Sequence, residues 1–429
     1  MPAATTNSPE PLSIAIVGAG LVGATAALAL SRLPNVTINV YERSPEPREV
    51  GAWIAMNVSG RAFIPGLRVL GNILPDYSQL RDIMYQGETG INHRHWRTGE
   101  ALGTSESPHT APKYREGRTH RIPLHELLLS HVEPGTIHYD KHVIRADFQA
   151  KSGRGGAILT FTDGDVVHVD LVVAADGIYS KLRRQYLPQS IPAYRGVVAY
   201  RKIFPESLLS HIKGLPEGTS SWQKEHGEVM YMSKVGLGKY GIVAIVREAD
   251  DAAKPLSWGQ DQGEGGIARL QRHFKDWDPI IIEVVSALPN IDAYRLEGAA
   301  WMDNMTRDDS IAFVGDAAHP TAGAYGAGAT FGFGDVWALY RSLLAFHHNT
   351  YDVAAALDLF NRTRRPFLAR VERQMSFDRK NGAYIASALD EESWIARWRE
   401  RFSPNWWMLE HDVEAEWQKV YSEVLYEQN

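Results

Sequence analysis

Apolar positions near the start of the chain form a short solid run at residues 13–17 (SIAIV) and then an Ala/Leu-rich stretch, ATAALALSRL, of strong helix formers. Gly18-Ala19-Gly20-Leu21-Val22-Gly23 stands between them, so the pattern predicts strand, tight turn and helix. A second apolar run at 36–41 (VTINVY) predicts another strand, closed by Glu42. Residues 85–121 read as short strands and loops, after which Pro123 with Leu124, Leu127 and Leu128 predicts an amphipathic helix. Strands follow at 137–143, 157–162 and 166–169, with turns at Gly155-Gly156 and Asp163-Gly164. The wholly apolar 171–175 (LVVAA), stopped by Asp176-Gly177, predicts a parallel strand buried on both faces. Strand patterning with aromatics and glycine turns dominates 194–246, a sheet suited to walling off a pocket. Residues 264–287 are helical by period, and 311–314 form a last apolar strand that delivers Gly315-Asp316. From Phe331 onward the chain is helical, with a Trp-rich stretch near its end.

These patterns imply an α/β protein in which pieces around 12–45, 110–180 and 290–345 build one nucleotide-binding layer, with the β-rich segment inserted. At 429 residues, 44% hydrophobic and 22% charged, the chain has the composition of two to three globular domains. Lys+Arg 45 against Asp+Glu 51 leaves a net charge of −6, without the basic excess of a nucleic-acid binder. The chain has no cysteine, which excludes disulfides, thiolate zinc sites, cysteine nucleophiles and redox dithiols. No signal-peptide core and no 18-residue apolar run are present, so the expectation is a cytoplasmic protein, without a membrane partner, behind a disordered tail of about 11 residues.

The glycine spacing has a physical reason. Gly18 permits the turn, Gly20 lets main chain approach a pyrophosphate, and Gly23 lets the helix lie against the strand, aiming its free N–H groups at phosphate. Glu42, 19 residues past Gly23, is placed to accept hydrogen bonds from ribose hydroxyls. The motif does not choose between FAD and NAD.

Three motifs together resemble the single-component flavin-dependent aromatic hydroxylases, the group A flavoprotein monooxygenases that include salicylate hydroxylase: VGAGLVG with Glu42, VVAADGIYSKLR at 172–183, and AFVGDAAHPTAGAYGAGA at 312–329. The resemblance implies a p-hydroxybenzoate hydroxylase-like fold. It has a Rossmann-like FAD-binding domain in three pieces (12–75, 110–185 and 290–360), an inserted substrate-binding β-sheet domain (76–109 and 186–289) and a C-terminal helical region (361–429). It implies FAD as cofactor, NAD(P)H as transient co-substrate and O₂. The reaction implied is hydroxylation of a phenolic or aryl-carboxylate small molecule through a flavin C4a-hydroperoxide, with decarboxylation or dearomatisation left open. Asp176 and Gly177 then lie by the pyrophosphate, with Ser180 and Arg183 at the next matching positions. Asp316 meets the ribityl chain, Gly328 and Ala329 offer main-chain N–H groups to the flavin ring, Arg121 occupies the pyrophosphate-contacting R-x-x-L position, and Arg43 joins the cofactor set beside Glu42.

For the substrate, the resemblance points to Arg201 on the first strand of the inserted sheet as partner of a phenolate or carboxylate, to Tyr231 on a pocket strand, and to His226 on the same hairpin. Tyr240 is a weaker candidate. The residues also permit plainer readings: Asp176 as a helix cap, Arg121 on an exposed helix face, Arg201 in a strand-end salt bridge, Tyr231 as a core ring and His226 in an exposed turn. Gly323 replaces the family's usual proline and loosens the loop beside the substrate, while Trp53 replaces a small glycine and either narrows the pocket, shields the flavin or fills core. His319 reads as structural, the histidine pairs lack metal spacing, and no metal is expected. Without cysteine a disulfide reductase is excluded. The alternatives are a flavin-dependent epoxidase or N-hydroxylase of an alkene or alkaloid, and a non-catalytic flavin-binding protein. The enzyme is expected to be a monomer or homodimer.

Overall fold

The computed structural model of the protein describes residues 10–47, 53–56, 65–87, 90–105, 117–149, 156–225, 227–256, 259–347, 351–401, 406–409 and 411–428. Most of the expected N-terminal tail, and His226, lie outside the described residues.

The apolar runs assemble into a six-stranded sheet in the order Thr306–Arg307, Ile311–Phe313, Leu171–Ala174, Leu12–Val17, Val36–Tyr41, Ile137–His138. All neighbours are parallel except the Thr306–Arg307 edge. Leu171–Ala174 is buried at all four positions, as its unbroken apolar run requires between two covered faces. The registers pair Tyr41 with Val17, Val17 with Ala174, and Ala174 with Phe313. Four strands therefore end level, and Glu42, Gly18, Asp176 and Asp316 all leave from one edge. The chain passes from Leu12–Val17 to a neighbour on one side and later to Leu171–Ala174 on the other. That reversal opens a crevice at the carboxyl ends of the strands, where ligands of open α/β sheets bind.

A second, eight-stranded sheet runs Gln260–Asp261, Asp292–Gly298, Ala193–Pro205, Lys239–Arg247, Val229–Gly236, Ser220–Gln223, Asn92–His95, Ala101–Thr104. One face carries Tyr200, Ile242, Met230 and Trp222 into a core shared with the helices Gly263–Phe274 and Pro279–Ala287. The other face turns toward the nucleotide layer. The expected helix at 264–287 is two helices, because Pro279 starts a new one and Asp278 caps it through the Ile280 N–H at 3.0 Å. The expected strand at 137–143 breaks where Asp140 takes φ +56°. Val143–Phe148 then joins a separate antiparallel sheet with Ala157–Phe161 and Val166–Val169.

The C-terminal helices cover both layers. Val353–Ala386 and Val413–Gln428 pack on the nucleotide side, whereas Glu391–Arg401 sends Trp394 and Trp398 into the core of the eight-stranded sheet. Trp398 also donates to Gln223 Oε1 at 2.7 Å.

Candidate active site

At the level carboxyl edge, Gly18 has φ +99°, and a Cβ there would lie 2.6 Å from the Ala175 carbonyl oxygen. A Cβ on Gly23 would lie 1.9 Å from the Gly18 oxygen, so only glycine lets the helix Leu21–Leu30 start this close to the turn. At Gly20 a Cβ would meet nothing within 4 Å, and no side chain caps the helix, leaving open main chain at its positive end. Glu42 spends one oxygen on the Ala19 N–H and the other on the Ser44 N–H, both at 2.8 Å, while Arg43 is exposed. His125, on the helix Arg121–Ser130, reaches the Ala19 carbonyl with Nε2 at 2.6 Å and pins the same loop from the far side.

Asp176 accepts from the Lys181 N–H at 2.9 Å, so it does support the following helix, although Ser180 is the cap. Its other oxygen, Oδ1, is buried with no hydrogen-bond partner, and burial raises the carboxyl pKa. Gly177 has φ +74° and open space around it. Arg183, fully buried, donates through Nη1 to the carbonyls of Asp316 (2.7 Å) and Ala317 (3.1 Å), and through Nη2 to the Ile178 carbonyl. This one guanidinium ties the second motif to the third.

Asp316 is walled by protein yet has an accessible side chain, so its carboxylate faces a chamber inside the molecule. Desolvation raises its pKa; His319, Arg121, Arg183 and the Thr321 N–H act against this. A Cβ on Gly328 would lie 3.1 Å from Thr321 Oγ1 and 3.5 Å from Asp316 Oδ1, which places the uncapped start of the helix Gly328–Ala345 beside that carboxylate. Ala329, in the first turn, is half-buried. Gly332 allows the helix to cross: its Cβ would fall 2.5 Å from Val22 Cγ2 and 3.1 Å from Gly315 Cα.

His319 Nε2 meets Asp335 Oδ2 at 2.6 Å, Asp335 also accepts from the Gly315 N–H at 2.9 Å, and Arg364 Nε donates to its Oδ1 at 2.8 Å. Burial would raise the Asp335 pKa, but His319 and Arg364 outweigh it and hold the carboxylate ionised. The sequence reading missed His125, Asp335 and Arg364. A lone acid in the apolar run GFGDVWAL was the available signal for Asp335.

On the chamber face of the eight-stranded sheet, Arg201 pairs in register with Val243, and Val243 with Tyr231. All three side chains point to one face and remain partly accessible. Arg201 sits mid-strand rather than in a strand-end salt bridge. Its guanidinium lies 4.6 Å from the Tyr294 ring centroid and makes no hydrogen bond or ion pair with any described residue. Desolvation pushes its pKa down to about 10, with Tyr294 opposing and the nearby Arg121 adding to the drop. Arg121 is the first residue of its helix, partly buried, and within electrostatic reach of both Arg201 and Asp316. Burial raises the Tyr231 hydroxyl pKa.

Tyr240 is corrected to a core residue: it is fully buried on the opposite face and donates to the Pro216 carbonyl at 2.9 Å. Trp53 lies over the sheet, with its Cε3 2.8 Å from where a Gly241 Cβ would be, so it walls one end of the chamber. Among the described residues no group of three or more His, Asp or Glu could hold a metal ion, and no helix is long and apolar enough to cross a membrane.

These residues fit a dinucleotide with a long polar chain. Two uncapped helix starts and open glycine main chain suit phosphates, while Asp176 Oδ1, Thr330 Oγ1 and His319 Nδ1 are buried without hydrogen-bond partners. Fold and site define a dinucleotide-binding α/β protein with a second sheet facing its nucleotide crevice.

A family model described as "FAD binding domain" matches residues 124–375, more than half of the chain, and the chain belongs to that family. It is 27% identical to 6-hydroxynicotinate 3-monooxygenase of Bordetella bronchiseptica, over 84% of this chain and 89% of that one. It is 26% identical to salicylate hydroxylase of Pseudomonas putida, over 85% of each. A solved salicylate hydroxylase substrate complex superposes with TM-score 0.75 at 20% identity, covering 96% of this chain and 98% of that one, and shares the fold. The protein is an FAD-dependent monooxygenase of the aromatic hydroxylase type.

Proposed function

We propose that the substrate is a single-ring phenol or aryl carboxylate bound as its anion against Arg201. The observation that carries this is a largely enclosed guanidinium on the open face of the substrate sheet, without an ion pair among the described residues. A buried cation without a partner is costly unless a ligand supplies one. Tyr231 stands two strands away, about 10 Å at the usual strand spacing, with Val243 between as an apolar floor. One aromatic ring laid on Val243 would put its anionic end at Arg201 and a ring hydroxyl toward Tyr231. The relatives named for hydroxynicotinate and salicylate point to the same class.

Bound FAD, reduced by NAD(P)H, supplies the oxygen-activating chemistry. Gly18, Gly20, Gly23, Glu42, Arg43, Arg121, Asp176, Gly177, Asp316, Gly328 and Ala329 would hold it. Asp176 and Asp316 would offer their carboxylates to its hydroxyl donors, and the start of the helix Gly328–Ala345 would favour negative charge placed beside it. Arg201 and Arg121 favour ionisation of a phenol, whose ordinary pKa is about 10, and so raise the electron density of the ring to be hydroxylated. Trp53 and the sheet exclude water from the reacting face. The enzyme works as a cytoplasmic monomer or homodimer.

The experiment is NAD(P)H oxidation by the purified yellow protein with a panel of hydroxybenzoates and hydroxypyridine carboxylates, with products identified by mass after reaction under ¹⁸O₂. At least one panel member should accelerate NAD(P)H oxidation and gain one labelled oxygen. If only neutral alkenes or amines were oxygenated, the anionic-ring reading would fall.

A further inference from the structure

The loop from Thr321 to Ala327, between the Asp316 turn and the helix Gly328–Ala345, is held in an unusual conformation. Four of its residues are left-handed: Ala322 at φ +54°, Gly323 at +80°, Tyr325 at +58° and Gly326 at +62°. Two of these carry side chains, and such residues visit this region only when the surroundings impose it. Main-chain bonds within the loop are few and long, from 3.1 Å for Ala324 N to Thr321 O up to 3.4 Å for Ala327 N to Ala324 O. The Tyr325 hydroxyl donates to the carboxylate of Asp378, and Gln374 Nε2 steadies the other oxygen of that carboxylate at 2.8 Å. Asp378 lies in the second half of the 34-residue helix Val353–Ala386, where no residue after Val371 is fully buried. Tyr325 and Met375 pack partly against the nucleotide-side core, and the phenol–carboxylate bond adds a polar link between the two elements.

We propose that Tyr325 and Asp378 form a latch that holds the loop under strain and thereby fixes the first turn of the helix Gly328–Ala345 against Asp316, preorganised for FAD. The proposal rests on the reading that this turn and Asp316 face the flavin. Tyr325 is a positioning residue, acting through the main chain of 326–329. A hydrogen bond to a charged acceptor and two left-handed side-chain-bearing residues are of similar energetic size and opposite sign. Breaking the latch therefore lets the loop relax, with little net change in the FAD-free protein. The loss appears only when FAD must again order the loop.

The test is FAD titration of the apoprotein by quenching of flavin fluorescence, alongside thermal melts of the apo and FAD-loaded forms, for wild type, Tyr325→Phe and Asp378→Ala. A latch gives both variants a Kd for FAD raised about tenfold or more, an apo melting temperature close to wild type, and a lowered melting temperature only in the loaded form. Equal loss of stability in both forms with unchanged Kd would mean a merely structural bond and overturn the proposal, as would unchanged Kd and unchanged melts. Asp316→Asn tests the underlying reading separately. If it leaves FAD affinity intact, the flavin does not face this turn, whatever Tyr325 does.

Discussion

Replacing Arg201 by methionine should make the substrate-free protein more stable while damaging its function. In the folded chain the guanidinium is largely desolvated and has no ionic partner among the described residues, and burial pushes its pKa from 12.5 down to about 10. A drop of that size corresponds to about 3 kcal/mol against the charged form. The Arg201 side chain remains partly accessible, so screening leaves about 1–2 kcal/mol. The penalty is fully present at every pH below about 10, where the side chain is charged in both folded and unfolded chains, so it operates at neutral pH. Methionine fills a similar length without charge, and the melting temperature of FAD-loaded Arg201→Met without substrate should rise by roughly 1–4 °C. Binding goes the other way: charge-assisted bonds to a ring anion contribute about 1.5–3 kcal/mol, so the Kd for the best panel ligand should rise roughly 10- to 150-fold. Calorimetric melts with and without ligand read both effects. Arg201→Lys keeps the charge but loses the fork, and should bind with intermediate affinity and show no gain in stability. A variant that melts lower than wild type without ligand, or that binds the ligand equally well, would refute the reasoning.

Three further outcomes are expected. Gly23→Ala places a methyl 1.9 Å from the Gly18 oxygen, and the purified variant should lack yellow flavin absorbance even after reconstitution. Asp335→Asn leaves the buried Arg364 guanidinium uncompensated beside His319 and should cost about 3–5 kcal/mol in urea unfolding. His273 lies between Glu228 (3.2 Å) and Glu248 (3.7 Å), whose carboxylates raise its pKa to about 9. Its contribution of about 2–3 kcal/mol is complete below the unfolded value near 6.5 and is lost as pH rises through about 9. His273→Gln should flatten that part of the stability–pH curve.

What the sequence made legible is local. The spacing of Gly18, Gly20 and Gly23 is dictated by one turn and one helix start, so it can be read without knowing what lies opposite. The same holds for the apolar strands that end in Glu42, Asp176 and Asp316, since each acid follows its own run. The chain alone does not reveal that the strand ends lie level, because that depends on registers between strands more than 100 residues apart, such as Val17 with Ala174. The Asp335 network escaped for the same reason: its partners stand 16 and 29 residues away on different elements.

The tyrosines show where the limit falls. Tyr231 and Tyr240 lie on adjacent strands of similar composition, and only parity separates them. Tyr231 pairs with Val243, three residues from Tyr240, so the two rings emerge on opposite faces, one into the chamber and one into core. Parity within a strand is readable; the pairing that converts it into a face is not. The core face fixes that pairing, since Val198, Tyr200, Ile242, Ala244 and Val246 are all buried together, and a slip of one residue would expose them. Burial of these core residues is thus what turns Arg201 toward the nucleotide layer. Mutations in that apolar row should disturb substrate binding through register even where they leave the chamber's own side chains untouched.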